Sequence, residues 1–304
     1  MAVRKITIQS RAKLNLILKV MGRRPDGFHN IQSVFQSIDL ADKLTFSLES
    51  GRTGISIRSI NPDIPLGNDN LITKAFYKLA EIRDIPVGKG VVCDLEKNIP
   101  VGSGMGGGSS NCASSLIALN ELLETGLEMK ELKSIGETLG SDIPYFFSGG
   151  TSFVHGRGEN VDMLSAISDG AFIVVTPSVR VDTSYAYRLL DESRKPFVNE
   201  NQGENNMLEM RNLLSKAILD GDIASFFHND FEKPVFEKFP MISDLKNRLN
   251  NLGSVSQMTG SGSSVFVYFR DCDRAFKALE NYTPLEGEKV SFTRPTEYAF
   301  ELYG

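Results

Sequence analysis

The stretch "PVGSGMGGGSSN", residues 100–111, puts five glycines into the seven positions from Gly102 to Gly108. Glycine in a loop costs backbone entropy and adds no side-chain packing. Such density implies a backbone that comes very close to something. The serines and the asparagine that follow open a run with Cys112, Leu116, Leu119 and Leu123 at helical spacing. A glycine loop that runs into a helix N-terminus is suited to phosphate, because its N–H groups point outward and the helix dipole favours negative charge. A flexible linker shares the composition, but a well-patterned helix does not usually follow one.

Several phosphate loops fit this composition. Gly102, Gly104 and Gly107 satisfy GxGxxG. A dinucleotide fold would also need a second strand ending in an acid about 20 residues on. Here a second helix, 129–139, follows instead. No Gly-Lys-Ser/Thr follows Gly107, so the nucleotide-binding lysine of the P-loop is missing. The HRD and DFG elements of protein kinases are absent, and "DGF" at 26–28 has the wrong order.

Working outward, the first half mixes strands and helices. Strands are expected at 4–9, 13–20, 43–49 and 91–95. Within Lys13 to Val20 the chain alternates, with Leu14, Leu16, Leu18 and Val20 on one face and Lys13, Asn15 and Ile17 on the other. "NDNLITKAFYKLAEI" reads as a capped helix, and "MKELKSIGETLG" as a helix stopped by Gly140. "SDIPYFF" and "GGTSFV" then give a turn and a strand. In the second half "GAFIVVTP" is a strand ended by Pro177, and amphipathic helices fall near 183–191, 207–219 and 240–251. "SRKPFVNENQGENN" reads as a long exposed loop. "SVSQMTGSGSSVFVYF" reads as strand, glycine turn, strand. A helix at 272–281 and a strand at 289–294 close the chain. This is an α+β pattern in two units, 1–168 and 169–304, divided near the small, polar "SAISDG".

Composition narrows the function classes. The formal net charge of -5 offers no basic field for nucleic acid. No run approaches the ~18 apolar residues of a membrane span. The three cysteines, Cys93, Cys112 and Cys272, show neither a disulfide framework nor CxxC spacing, and a reducing cytoplasm is expected. His155 and His228 read as structural, and no His/Cys cluster suggests a metal held by protein. The first 24 residues carry seven Lys or Arg and no acid, as a targeting segment can, but the alternation in 13–20 favours a strand.

With these residues in view, "PVGSGMGGGSSN" resembles the second signature of the GHMP small-molecule kinases, named for galactokinase, homoserine kinase, mevalonate kinase and phosphomevalonate kinase. "AKLNLILKVMGRRPDGFHNIQSVFQSIDL" at 12–40, "LGSDIPYFFSGGTSFVHGRGE" at 139–159, "NDFE" at 229–232 and "MTGSGSSVFVYF" at 258–269 are similar to one branch of that family. The branch phosphorylates a cytidyl-capped methylerythritol on the non-mevalonate route to isoprenoid precursors. The glycine loop alone specifies only the family, and "DGFHNIQ" makes the match specific.

The resemblance implies a ribosomal-protein-like α/β N-terminal unit, a ferredoxin-like C-terminal unit and a site in the cleft between them. It implies ATP as phosphoryl donor, with Mg2+ bound mainly through the ATP phosphates. The phosphates would lie along Pro100, Val101, Gly102, Ser103, Gly104, Met105, Gly106, Gly107, Gly108, Ser109 and Ser110. Ser109 or Ser110 would touch the metal. Adenine would lie near Asn70, Leu71 and Lys97, for which helix cap, core leucine and solvated charge are equally simple readings.

Asp142 matches the family's general base, although Ser141 or Asp142 could simply cap a helix with Pro144 in its first turn. Lys13 matches the catalytic lysine, against the plain reading of a surface strand lysine. Asn15 would hold substrate oxygens, and Thr183 also falls in the substrate set. Phe28 and Tyr187 match two rings that sandwich cytosine, with His29 pairing to the base edge and Tyr185 as rival for the second ring. The family often has tyrosine where this chain has Phe28, so a hydroxyl is missing there. The second glycine turn, Gly260 to Gly262, would wall the site, or be a plain hairpin turn. The expected partner is a small molecule, with no nucleic acid and no membrane, in a monomer or weak homodimer.

Overall fold

The computed structural model describes residues 4–83, 89–194 and 204–303. Two sheets organise them. The first holds β1 (Lys5–Arg23), β2 (His29–Ser50), β3 (Ile55–Arg58), β4 (Lys89–Glu96), β5 (Thr151–Gly156) and β6 (Asn160–Met163). Its main path runs β1-β2-β4-β3, and β5 pairs with β2 and with β6. The second sheet is antiparallel, with β7 (Ala171–Thr176) beside β10 (Val265–Phe269) at its centre. β11 (Lys289–Thr293) and β9 (Ser256–Met258) form its edges. β8 (His228–Asn229) and β12 (Phe300–Tyr303) return from the second half of the chain to pair with β1.

Helices α1 (Leu71–Ile82), α2 (Gly107–Leu123) and α3 (Met129–Leu139) cover the first sheet, and a short 3-10 helix, Ile143–Phe147, follows them. α4 (Thr183–Ser193), α5 (Glu204–Leu219), α6 (Glu232–Lys238), α7 (Pro240–Asn250) and α8 (Cys272–Glu280) belong to the second half. α2 is buried nearly all round, with Ser114 and Ser115 as hidden as Leu116 and Leu119. A helix closed in on every side loses the polar stripe that sequence patterning looks for.

The two expected strands 4–9 and 13–20 are one continuous β1, and 43–49 is the far end of β2, which begins at His29. The short β3, β6 and β12 escape the sequence reading because four residues carry little periodicity. "SDIPYFF" is helical rather than a turn. The α5 helix starts at Glu204, before the expected 207, and the expected loop 193–206 lies in part outside the described residues.

One expectation about β1 is corrected. Its pairing with β2 shifts register between Asn15 and Ile17. A bulge of this kind moves every following side chain to the other face. Leu14, Leu16 and Ile17 therefore share the core between the sheets with Phe172 and Phe266. Leu18 and Val20 join the core under α4, α6 and α7. Both faces of the strand are covered, and Lys13 is 3% exposed, which excludes the surface-lysine reading.

Candidate active site

The glycine loop enters the site beside a buried ion pair. Asp42 of β2 is fully buried and accepts from the backbone N–H groups of Asn98 and Ile99, both at 2.8 Å. Lys97 Nζ reaches its other oxygen at 2.6 Å and also donates to the Ile99 carbonyl. Burial pushes the Lys97 ammonium below the usual lysine range, and Asp42 opposes that. Lys97 is thus neither a solvated charge nor an unengaged ligand. Sequence reasoning missed Asp42, which stands between Ala41 and Lys43 and reads as an ordinary charged residue.

The loop itself turns through left-handed glycines. Gly102, Gly104 and Gly106 have φ of 69°, 78° and 69°, and Gly106 is the N-cap of α2. A side chain on Gly104 would meet the Thr259 carbonyl at 2.2 Å, and one on Gly260 would meet the Gly104 carbonyl at 2.8 Å. The two glycine turns therefore pack backbone on backbone. Asn229 braces the second turn by donating to Met258 and Gly260 carbonyls at 2.7 and 2.9 Å. The helix starts at Gly107, earlier than the expected Ser109. No protein carbonyl or side chain among the described residues accepts from the amides of Gly107, Gly108 and Ser109. Three orphan donors at a helix N-terminus are a preformed anion cradle.

Lys13 lies directly beneath. Its backbone N–H donates to the Met105 carbonyl at 3.0 Å, and a side chain on Gly106 would meet Lys13 Cε at 3.2 Å. The ammonium sits over the Phe35 ring, 4.5 Å from its centroid, and hydrogen-bonds to Asn15 Oδ1. Asp142 Oδ2 is 3.8 Å away. Burial pushes the Lys13 pKa down, and the Asp142 carboxylate works against that. Asn15 is itself locked by Ser33 at 3.0 Å and by Thr259, whose hydroxyl accepts from its backbone N–H at 3.0 Å. Asp142 stands at the N-cap of the 3-10 helix but makes no capping bond. Its carboxylate instead faces Lys13 and is 35% exposed to the cleft.

The cleft has a volume of about 460 Å³. Of the expected residues, Lys13, Asn15, Asp142, Thr183, Tyr187, Asn70, Leu71, Lys97 and most of the glycine loop line it. Met105, Ser110, Phe28 and His29 do not. Met105 is a core side chain, and Ser110 is fully buried with its hydroxyl on the Arg11 carbonyl and the Ser10 hydroxyl. That leaves Ser109 as the serine facing the cleft. Asn70 caps α1 through Oδ1 to Ile72 N–H at 2.9 Å and donates to the Pro65 carbonyl at 2.7 Å. The cleft also takes in Asn111, which is buried with an unpartnered Oδ1 and which the sequence reading passed over.

The aromatic end departs from the expected sandwich. Tyr187 already stacks on His29, with centroids 4.6 Å apart and planes at 17°. His29 Nε2 is fixed by Asp191 at 2.9 Å. Phe28 is 51% exposed, and the Arg157 guanidinium lies 5.3 Å above its ring. Each ring thus has a partner from this chain on one face. Tyr185 packs edge-on against Phe239 and does not line the cleft. His155 and His228 pair with Asp162 and Asp230 at 3.3 and 2.7 Å. No group of three His, Cys, Asp or Glu able to hold a metal occurs among the described residues.

A glycine cradle at a helix start, with a buried lysine below it facing an aspartate at the cleft surface, fits a small-molecule kinase of the GHMP type. Residues 70–150 match the family described as GHMP kinases N terminal domain, and residues 209–284 match GHMP kinases C terminal. The chain is 37% identical to the 4-diphosphocytidyl-2-C-methyl-D-erythritol kinase of Thermodesulfovibrio yellowstonii, over 91% of this chain and 95% of that protein. It is 34% identical to the protein of the same name from Pelotomaculum thermopropionicum, over 95% and 97%. A crystal structure of 4-(cytidine 5'-diphospho)-2C-methyl-D-erythritol kinase superposes with a TM-score of 0.74 at 29% identity, covering 94% of this chain and 98% of that one. Homoserine kinase from Cytophaga hutchinsonii, at 18% identity and a TM-score of 0.71, shares the fold. The chain belongs to the GHMP kinase family, and within it to the 4-diphosphocytidyl-2-C-methyl-D-erythritol kinases.

Proposed function

We propose that this chain transfers the γ-phosphoryl group of ATP to the 2-hydroxyl of 4-diphosphocytidyl-2-C-methyl-D-erythritol, giving the 2-phosphate and ADP. The observation that carries this reading is the Lys13–Asp142 pair, 3.8 Å apart, at the foot of a cradle with three orphan amides. It lies in the cleft between the units 1–168 and 169–304. ATP phosphates lie along the amides of Gly107, Gly108 and Ser109. Asp142 takes the proton of the acceptor hydroxyl as its oxygen attacks the γ-phosphorus in line. The bond from the γ-phosphorus to the bridging oxygen breaks, and ADP leaves with that oxygen. The Lys13 ammonium, fixed by Asn15 and Phe35, faces the charge that spreads over the transferring oxygens. Cytosine is recognised at the end formed by Phe28, His29 and Tyr187.

Ser109 and Asp142 offer hard oxygen side-chain donors beside the cradle, which suits Mg2+ held mainly by phosphates. When bound, the ion neutralises phosphate charge. Among the described residues no helix is long and apolar enough to cross a membrane, and all three cysteines are free. We place the protein in the cytoplasm. The test is ADP release with the cytidyl substrate, with homoserine and mevalonate as rival acceptors. Turnover of the cytidyl compound alone is expected. Turnover of another alcohol alone would make this a different GHMP kinase.

A further inference from the structure

The outer edge of β1 pairs with β12 at Thr7 to Ser10 and with β8 at Ile17 and Leu18. Between them, among the described residues, no strand lies beside it, and other segments take its hydrogen bonds. Arg11 N–H donates to the Ala299 carbonyl at 2.9 Å and Lys13 N–H to the Met105 carbonyl at 3.0 Å. Asn15 N–H has a side chain for its partner, the Thr259 hydroxyl, at 3.0 Å. Gln257, two residues before Thr259, donates its side-chain amide to the Asn15 and Leu16 carbonyls at 3.1 and 3.0 Å. Residues two apart in extended chain share a face, so one short segment makes both contacts. Both polar groups of the Asn15 backbone are gripped by side chains from the second half of the chain.

The grip reaches the side chain as well. The Thr259 hydroxyl donates toward Asn15 Oδ1 at 3.3 Å, with the Gly104 carbonyl at 3.5 Å as its other acceptor. Asn15 Oδ1 is the atom that accepts from the Lys13 ammonium, and Asn15 Nδ2 is spent on Ser33. Thr259 is fully buried and does not line the cleft, so it meets neither substrate. It is held from behind. Glu232 accepts from Met258 N–H at 2.9 Å, and Asn229 donates to the Met258 and Gly260 carbonyls on either side of Thr259. The segment "NDFE", which the reaction itself leaves unused, thus clamps the turn that carries Thr259. A hydroxyl can accept from one group and donate to another at once. Valine has the same shape and can do neither, so packing and hydrogen bonding are separable at this position.

We propose that Thr259 is a positioning residue for the phosphoryl transfer: it fixes Asn15, and through Asn15 the Lys13 ammonium, from the opposite half of the chain. This rests on the function proposed above and deepens it. Steady-state kinetics with ATP and the cytidyl substrate test it. Thr259→Val should lower kcat roughly 10- to 100-fold, the scale of a ~1 Å displacement of a catalytic group, and leave both KM values within about twofold. Thr259→Ser keeps the hydroxyl and should recover most of kcat. In an Asn15→Ala background most of the Thr259→Val loss should vanish, because residues that act as one unit are not additive. Losses that multiply across the pair would place the action of Thr259 at the Gly104 carbonyl and overturn the assignment. So would a raised KM for ATP with kcat unchanged, or a lowered urea midpoint with kcat unchanged. If the valine variant does not fold, Thr259→Ala takes its place, and a folded Thr259→Ser with kcat as low as either would equally overturn the role. A native chain that turns over no cytidyl substrate would bring down the functional reading and this role with it. An active native chain with an equally active Thr259→Val would overturn this role alone.

Discussion

The carboxylate of Asp142 turns away from the helix it begins and faces the buried ammonium of Lys13 at 3.8 Å. A capping aspartate would bond to the backbone of its own first turn. This one makes no such bond, and what it gives the fold is its charge opposite the buried Lys13 ammonium. Asp142→Asn is therefore expected to stay folded with a lowered denaturant midpoint, by less than the change at fully buried Asp42, because the Asp142 carboxylate is partly solvated. It should bind ATP normally and lose roughly 10²- to 10⁴-fold in kcat, the usual range for removing a positioned base. A near-normal kcat in the purified variant would assign proton removal elsewhere.

The Lys13 pKa is lowered in the folded chain, by burial first and despite Asp142. Two pH effects of opposite sign follow. As pH rises through the folded-state value toward 10.5, the folded chain sheds its proton before the unfolded chain does. The unfolded state then binds more protons, so stability rises over that window, while below it the cost of burying the charge stands in full. Activity falls over the same window, because the ammonium is lost. A kcat/KM profile should show an alkaline limb beginning below 10.5. Lys97 is shifted in the same direction. The difference in pH–stability curves between the native chain and Lys13→Met therefore isolates Lys13, and coincident curves would refute the account.

Two neighbouring glycines separate ligand contact from packing. A side chain at Gly106 would lie 2.8 Å from Phe146 and 3.2 Å from Lys13, at φ 69°. Gly106→Val should cost stability and displace Lys13 together. At Gly108 the nearest atom is Leu71 Cδ1 at 3.7 Å, and the backbone is helical. Gly108→Ala should hold or raise stability by about 0.5–1 kcal/mol. A rise in its KM for ATP would then report the nucleotide alone, whereas unchanged affinity would remove phosphate from that face of the loop.

Phe28 is half exposed, so its truncation should leave folding intact. Phe28→Ala is expected to raise the KM for the cytidyl substrate roughly 5- to 150-fold with a modest change in kcat, since base stacking is worth ~1–3 kcal/mol and lies remote from the chemistry. Tyr187→Ala should act likewise, because it also frees the His29 ring. Tyr185→Ala should leave KM alone. Steady-state kinetics at saturating ATP decide among the three.

Asp42→Asn tests what holds the loop. The change leaves the Lys97 ammonium buried without its counter-charge. A loss of about 3–5 kcal/mol in urea unfolding is expected, with an unaltered m-value. A loss below ~1 kcal/mol would mean that the pair is solvated in practice.

The glycine loop, the helix after it, the capped α1 and the paired strands of both units could all be read along the chain, because each is a local pattern of period, cap or turn. The resemblance added Lys13, Asn15 and Asp142, but periodicity alone favoured a surface lysine and a helix cap. What the line of residues could not show was covering. The second face of β1 is buried by Phe172 and Phe266 of the other sheet, more than a hundred residues away in sequence. A one-residue bulge after Asn15 also reverses the faces that strict alternation assigns. Asp42 and Asn229 became visible only as buried acceptors and donors whose partners lie on other segments. The aromatic end likewise depended on which side chains fill the space before a ligand arrives, His29 against Tyr187 and Arg157 over Phe28. Sequence determines such patterns because backbone hydrogen bonding and side-chain period act over a few residues. Tertiary structure decides burial, ion pairing and stacking because those energies depend on distances between segments that the order of residues does not fix.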